Sequence, residues 1–191
     1  MSNKRALIRR ERKEREKILN DKSEQGRERR IRLKGQNDGR TIAYYTILYI
    51  LMDQYKFDSE KIEKMCSYIG EEAVKFSKPG EQFVVMHYGN QLSELIKKRR
   101  SKFIVKSGGD EWYQTERDDF YISTCSVIFI VLKDRFGFYV NKNRTGKLDV
   151  VMEYCAEELI NIWEEPDMRT PEWYADRIKG RLSEAALTGK M

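Results

Sequence analysis

Apolar residues recur at helical spacing along most of this chain, whereas the first 36 residues contain few of them. The two longest apolar runs, residues 42–52 and 122–132, are 11 residues each. Both are well short of the roughly 20 residues that a membrane-spanning helix needs. Such runs are typical of central helices that are covered on most sides, and they predict an all-α fold.

Breaks in this pattern divide the body into six predicted helices. Gly and Pro pairs at 79–80 and 108–109 and a polar loop at 141–146 mark the connections, and Thr170 followed by Pro171 is a typical helix start. The predicted helices cover residues 41–56, 59–77, 81–102, 118–136 and 147–163, with a last one opening at Thr170-Pro171. Residues 35–39, Gly-Gln-Asn-Asp-Gly, read as the clearest linker in the chain.

The body also contains an internal repeat. Residues 47–57 align with residues 128–138 at an offset of 81, and the two segments share Leu, Asp and Phe at matching positions. The alignment continues at an offset of 86 through Tyr68 and Tyr154, and then Tyr88 and Tyr174, with the extra residues falling in the polar loop. This predicts two tandem, pseudo-symmetric three-helix units, 37–106 and 107–191, packed face to face as one helical bundle.

One segment allows a second interpretation. Residues 122–140 are rich in β-branched and aromatic side chains, which also suit a β-hairpin. The helix is favoured because the repeat partner of this segment contains good helix formers such as Leu48, Leu51 and Met52.

Positive charge is concentrated at the N-terminus. Of 37 Lys/Arg and 31 Asp/Glu in the chain, 14 and 6 lie in residues 1–36, which leaves 23 cations and 25 anions for the rest. The first 36 residues are therefore net basic and the body is close to neutral. Arg, Glu and Lys are good helix formers, so we expect residues 1–36 to form a basic helical arm that projects from the body.

The arm supplies most of the candidate binding residues. Arginine suits phosphate oxygens, and several phosphate contacts together give salt-sensitive binding with little sequence preference. The competing interpretation is a solvated charged helix in which Arg and Glu pair with each other. The candidates are Arg9, Arg10, Arg12 and Arg15 in a first cluster and Arg27, Arg29, Arg30, Arg32 and Lys34 in a second.

A smaller basic cluster closes the first repeat. It consists of Lys97, Lys98, Arg99 and Arg100. The helix dipole alone favours cations at a helix C-terminus, so this cluster is either a structural feature or a second contact patch that continues the track of the arm.

No pattern of catalysis or metal binding is present. The three cysteines, Cys66, Cys125 and Cys155, are far apart and are expected to be buried thiols of a reducing compartment. His87 is the only histidine and is expected to be half-buried in a helix. Neither a nucleophile motif nor a Gly-rich phosphate loop occurs, so we expect no enzyme activity, cofactor or metal.

The motif Leu132-Lys133-Asp134-Arg135-Phe136-Gly137-Phe138, with a later helix start at Thr170-Pro171-Glu172, carries a resemblance. It resembles small helical accessory proteins of Firmicutes phages and prophages, which have a basic N-terminus and an apolar helix ending in L-x-D-K-F-G-F. The first copy departs from that motif because Lys56 stands where the motif has glycine. The resemblance implies a phage or mobile-element origin in a bacterial cytoplasm and implies no activity.

These observations favour a binding protein over an enzyme. The first expectation is nucleic-acid binding, to RNA or DNA, through the arm. The second is an inhibitor of a host nucleic-acid-targeting defence complex, similar in action to anti-CRISPR proteins, that contacts protein and guide RNA. The third is a virion or replication scaffold, for which a second copy of the chain is the candidate partner. No membrane partner is expected.

Overall fold

The structure, a computed structural model, describes residues 9, 13, 16–18, 20–76, 82–99 and 110–187, without the side chains of 181–187. Every regular element in this part of the chain is a helix. Beyond the short helical segment that ends at Asn20, the helices are α1 Glu24–Gln54, α2 Ser59–Phe76, α3 Phe83–Arg99, α4 Glu111–Phe136, α5 Lys147–Glu164 and α6 Pro171–Leu187. Within the described helices, none is long and apolar enough to cross a bilayer.

Several of these helices begin at a capping residue or at a proline. The Ser23 hydroxyl accepts a hydrogen bond from the Gly26 N–H at 3.0 Å and opens α1. Asp110 caps α4 in the same way through the Trp112 N–H at 3.0 Å. The Asp149 carboxylate accepts the Gly146 N–H at 3.1 Å at the start of α5, and Pro171 is the first residue of α6.

Helices α1 and α4 form the centre of the molecule and run side by side in the same direction. Gly35 approaches the backbone of Tyr113, and Gly39 that of Arg117. At the other end of the pair, the ring of Phe57 lies 5.2 Å from that of Phe136. Within the apolar runs of both helices, Ile47, Leu51, Ile128 and Leu132 are fully buried between the two helices and their neighbours.

The remaining helices cover this central pair crosswise. Helices α2 and α3 pack on α4, whereas α5 and α6 pack on α1; α5 also contacts α3 and α4. Each central helix is therefore covered mainly by helices from the other half of the chain. The ring of Tyr88 in α3, for example, lies 6.4 Å from that of Phe129 in α4. Within the second half, the Tyr121 hydroxyl donates to the Cys155 carbonyl at 2.9 Å and connects α4 to α5.

The structure corrects the predicted linker. Residues 35–39 lie inside α1, which continues without a break from Glu24 to Gln54, so the predicted boundary between residues 36 and 37 falls within a helix. The two glycines are needed because the α4 backbone passes directly beside them: a Cβ at Gly35 would lie 2.5 Å from the Tyr113 carbonyl oxygen. Glycine here permits close helix packing, a role that a turn signal in the sequence does not reveal.

Other boundaries differ by smaller amounts. Helix α4 begins at Glu111, earlier than the predicted residue 118, because Asp110 supplies the cap. The hairpin alternative for residues 122–140 is wrong, since α4 continues to Phe136 and ends at Gly137 in a left-handed conformation. Cys125 and Cys155 are buried, but Cys66 is exposed. Residues 100–109, including Gly108-Gly109, lie outside the described residues.

Candidate nucleic-acid interface

The second basic cluster of the sequence occupies the first turns of α1. Successive residues of a helix are rotated by about 100°, so five cations between positions 27 and 34 point in different directions. One side of this segment lies against the start of α4 through Gly35. The contact with α4 divides the five cations into two groups with different roles.

Arg32 belongs to the contact with α4. Its guanidinium pairs with Glu28 at 2.9 Å and with Glu116 at 3.0 Å. It also lies over the ring of Trp112, with its central carbon 3.9 Å from the ring centroid. The hydrogen bond that Arg32 donates to Glu116 raises the pKa of Arg32 above its usual value. Arg32 therefore fastens α1 to α4, and its donors already have partners.

Arg30 holds the preceding turn. Its guanidinium donates to the backbone carbonyls of Ile18 and Asp21. These carbonyls lie at the end of the short helical segment that precedes α1, where carbonyl groups have no partner within the helix. Arg30 is half-buried as a result. Arg30 therefore caps that segment, and its guanidinium is less available to phosphate than an exposed arginine would be.

Arg27, Arg29 and Lys34 form the second group. All three side chains are exposed, and among the described residues none of them makes an ion pair with a carboxylate. Arg27 and Lys34 are seven residues apart, which places them on nearly the same face of α1 and about 10 Å apart along its axis. Arg29 points to another side. The Lys34 ammonium lies 5.6 Å from the centroid of the Tyr113 ring.

The first basic cluster is only partly described. Arg9 is helical and exposed, as are Lys13 and Lys17. Arg10, Arg12 and Arg15 lie outside the described residues. The described members add exposed cations ahead of α1 on the N-terminal side.

The cluster at the end of α3 is separated from the cluster on α1. Helix α5 begins beside Tyr55, whose hydroxyl donates a hydrogen bond to the Lys147 carbonyl at 3.2 Å. It ends beside Asp118, whose carboxylate accepts a hydrogen bond from the Trp163 indole at 2.7 Å. Arg99 forms an ion pair with Glu153 in the first half of α5. The cations of α1 lie beyond the C-terminal end of α5. The two clusters therefore lie toward opposite ends of α5, and the described residues do not support the alternative in which they form one continuous track.

Within this smaller cluster the cations differ in availability. Arg99 pairs with Glu157 at 3.4 Å as well as with Glu153, and Lys97 pairs with Glu94 at 3.0 Å. Lys98 is exposed and makes no ion pair within the described part of the chain. Arg100 lies outside the described residues.

A cleft beside Lys34 is a feature that sequence reasoning missed. It has a volume of about 370 Å³ and is lined by Lys34, Asp38, Tyr113, Arg117, Arg169 and Glu172, among others. The buried Arg117 guanidinium pairs with Asp118 at 2.8 Å. Burial raises the pKa of Asp118, while Arg117 acts in the opposite direction. Cations and carboxylates are mixed along the walls, so the cleft does not by itself select anions.

Glu158 serves as a structural partner in the core. The Glu158 carboxylate is buried and accepts a hydrogen bond from the Tyr174 hydroxyl at 2.7 Å. Across the described residues, no group of three or more His, Cys, Asp and Glu side chains is arranged to hold a metal ion. His87 is exposed, not half-buried as expected.

Comparisons with protein-family models, with curated proteins and with solved structures find no match to this chain. The geometry of the cations is therefore the basis for an assignment of function.

Proposed function

We propose that this protein is a non-enzymatic accessory protein that binds nucleic acid with little sequence preference through its basic N-terminal helix. One observation carries the proposal: Arg27, Arg29 and Lys34 are exposed and make no ion pair with a carboxylate in the described part of the chain, while Arg30 and Arg32 fix the same helix in place. A rigid helix that presents several unpaired cations suits the regular charge of a phosphate backbone.

The origin and architecture that we propose agree with this role. We assign the protein to a phage or other mobile element on the motif that ends α4. We further propose that the body is a duplicated three-helix unit, supported by reciprocal ring contacts: Tyr55 to Phe138 at 4.8 Å, Phe57 to Phe136 at 5.2 Å, and Phe57 to Phe138 at 6.2 Å. Such exchanged contacts are expected at a twofold interface, which would give the basic helix a stiff platform.

A charge-reversal variant tests the proposed function. The variant Arg27→Glu, Arg29→Glu, Lys34→Glu is compared with the control Lys61→Glu, Lys64→Glu, Lys179→Glu. The control makes the same change in net charge at lysines that already pair with carboxylates. Fluorescence anisotropy with labelled single- and double-stranded RNA and DNA is measured at two salt concentrations, and circular dichroism confirms that both variants are helical.

We expect the first variant to bind at least tenfold more weakly and to show a smaller salt dependence, because each lost phosphate contact lowers the slope of log K against log salt by about 0.7–0.9. The control is expected to stay within about threefold of the unaltered protein. Absence of binding to all four polymers, or an equal loss in the control, would contradict the proposal.

A protein partner is the second candidate, and a specific surface favours it. An open apolar groove of about 510 Å³ lies between α1, α2 and α4, lined by Tyr44, Tyr45, Ile69 and Val127 among others. Val74, Phe83, Val84 and Met86 are exposed as well, and exposed apolar patches mark interaction sites. A groove of this kind suits a helical element of a host nucleoprotein complex, as an inhibitor of the anti-CRISPR type would require, or of a scaffold.

Inhibition assays separate the two candidates. A purified guide-RNA-loaded nuclease is assayed for cleavage with the unaltered protein, with Tyr45→Glu and with the α1 charge-reversal variant. Inhibition that is lost in Tyr45→Glu and retained in the α1 variant would favour the protein partner. Inhibition lost only in the α1 variant would favour nucleic acid.

A further inference from the structure

The loop between α4 and α5 is longer than the connection requires. Residues 55–58 suffice to join α1 to α2, whereas residues 137–146 join α4 to α5. Extra length in a connection costs little in stability and often carries function. The longer loop adds a surface that the shorter connection does not have.

This loop is held in one conformation by its own hydrogen bonds. The Asn141 side chain accepts from the Thr145 N–H and donates to the Thr145 hydroxyl, each at 2.8 Å. The Asp149 carboxylate accepts the Asn141 N–H at 2.8 Å, and the Leu148 N–H donates to the Tyr139 carbonyl at 3.0 Å. A surface fixed before binding loses less conformational freedom when a ligand arrives.

The fixed loop forms one wall of a cleft with α3. The cleft has a volume of about 460 Å³, within the usual range for sites of small ligands. Side chains of α3 and the loop supply amides, an imidazole and cations. They include His87, Asn90, Gln91, Lys98, Asn141 and Lys142.

Three cations and three carboxylates line this cleft, and each of the carboxylates already has a partner. Asp149 is occupied by backbone N–H groups, Glu153 by Arg99 and Arg144, and Glu94 by Lys97. Lys98 and Lys142 are exposed and make no ion pair within the described residues. The lining therefore offers two available cations beside neutral amides.

Exposed apolar surface borders the same cleft. Val140 lines the cleft and is 46 % exposed. Tyr139, the residue before it on the same loop, is 54 % exposed and is not part of the lining, whereas Phe138 is buried in the core. An exposed tyrosine on a rigid loop is a typical platform on which a base can stack.

We infer that this cleft binds a nucleotide, held within a single strand or free, with the base beside Asn90 and Gln91 and its phosphates at Lys98 and Lys142. Amide side chains match the hydrogen-bonding edges of bases, and ammonium groups match phosphate. Tyr139 would stack on a neighbouring base when the nucleotide belongs to a strand. This inference rests on the proposed function and adds a site at the other end of α5 from the basic face of α1.

The imidazole of His87 reports on this cleft. It lines the cleft, lies 3.0 Å from the Gln91 amide nitrogen and is the only histidine in the chain, so its proton NMR signals are unambiguous. The full chain is titrated with single-stranded RNA and DNA octamers, a DNA duplex of the same sequence, and AMP. The same titrations are repeated for three variants. The first is Tyr139→Ala, the second is the double variant Lys98→Glu with Lys142→Glu, and the third is a control double variant, Lys64→Glu with Lys179→Glu.

We expect the His87 signals to shift with a single-stranded octamer, with affinity at least tenfold lower in the lysine variant and unchanged in the control. If AMP shifts the His87 signals as effectively as an octamer, the ligand is a free nucleotide. If AMP binds at least tenfold more weakly than the octamer and Tyr139→Ala weakens octamer binding, the ligand is a single strand. Absence of a shift with every probe, or an equal loss in the control, would overturn the inference. A duplex that shifts the His87 signals at the same concentration as the single strand would also overturn it.

The α1 charge-reversal variant separates this inference from the proposed function. We expect its His87 signals to respond to the octamer even if its overall affinity falls. Suppose that His87 responds to the octamer and that the α1 variant binds the polymers as tightly as the unaltered protein does. That result would contradict the proposed role of α1 and leave the cleft inference intact. Loss of polymer binding in the α1 variant, with no His87 response in any protein, would overturn the cleft alone.

Discussion

Gly39 of α1 lies directly against the backbone of Arg117 in α4, so that a Cβ at position 39 would overlap the Arg117 carbonyl oxygen. Gly35, one helical turn earlier, makes the matching approach to Tyr113. Two small residues four apart thus form a flat contact where the central helices meet. The close approach also brings Arg32 to Glu116, so the same contact positions the basic segment of α1.

Substitution of Gly39 by Ala is expected to destabilise the protein by about 1–3 kcal/mol, because the added methyl group meets rigid backbone and forces the helices apart. Chemical denaturation measures the effect. Gly70→Ala is the matched control, since Gly70 lies in α2 with no atom within 4 Å of its added Cβ. There, alanine is expected to stabilise by about 0.5–1 kcal/mol through its helix preference. A stabilised Gly39→Ala protein would contradict the packing described for α1 and α4.

Gly35 and Gly39 also show what sequence reasoning could and could not foresee. Hydrophobic periodicity was enough to predict an all-α fold and to place residues 42–52 and 122–132 in central helices, because burial of such runs depends on local pattern. The meaning of a Gly-Gln-Asn-Asp-Gly segment depends on a distant partner, the start of α4. Nothing in the local sequence distinguishes a turn from a crossing of two helices.

The candidate site shows the same limit. Composition identifies a basic segment, but it does not separate Arg27 and Arg29, which are exposed, from Arg32, whose partner Glu116 is 84 residues away. The cleft between α3 and the loop after α4 depends on tertiary packing in the same way. Only the polar character of residues 141–146 signalled that a surface loop was present.

Lys56 and Gly137 end the two central helices with the same backbone conformation. Lys56 has φ 54° and Gly137 has φ 67°, and the residue after each donates to a carbonyl six positions earlier, Phe57 to Leu51 and Phe138 to Leu132, at 3.1 Å. Lysine is strained in this left-handed region, at a cost of roughly 1–2 kcal/mol, and glycine is not.

Exchanging these residue types is expected to have opposite effects. Lys56→Gly should stabilise the protein by about 0.5–1 kcal/mol, and Gly137→Ala should destabilise it by about 1–2 kcal/mol. Equilibrium denaturation of both variants in parallel measures the difference. Equal signs for the two changes would show that the helix ends are not equivalent.

Glu158 is a buried carboxylate whose partners join α5 to α6. It accepts from the Tyr174 hydroxyl at 2.7 Å and pairs with Arg169 at 3.4 Å and Arg177 at 3.8 Å. We expect Glu158→Gln to destabilise by about 1–3 kcal/mol, because the two guanidinium groups lose their charged partner and the amide matches the donors poorly. Thermal unfolding followed by circular dichroism measures the loss. The control is Glu157→Gln, at an exposed neighbouring position, which should change stability by about 0.5 kcal/mol or less. A loss in the control as large as that of Glu158→Gln would contradict the structural role of the Glu158 carboxylate.

Four tyrosines, one buried and three half-buried, predict how stability depends on alkaline pH. Burial raises the pKa of Tyr44, Tyr113, Tyr154 and Tyr174 above the ordinary value of 10.0, and the Glu158 charge raises that of Tyr174 further. Above pH 10 the unfolded chain therefore binds fewer protons than the folded protein, so the free energy of unfolding falls as pH rises. This contribution is fully present below pH 10 and is lost as the pH climbs toward the folded values. We expect the midpoint of urea unfolding to decrease steadily from pH 9.5 upward, and tyrosinate absorbance near 295 nm to rise together with the loss of helix. Full ionisation of these tyrosines while the helical signal is intact would contradict their burial in the folded protein.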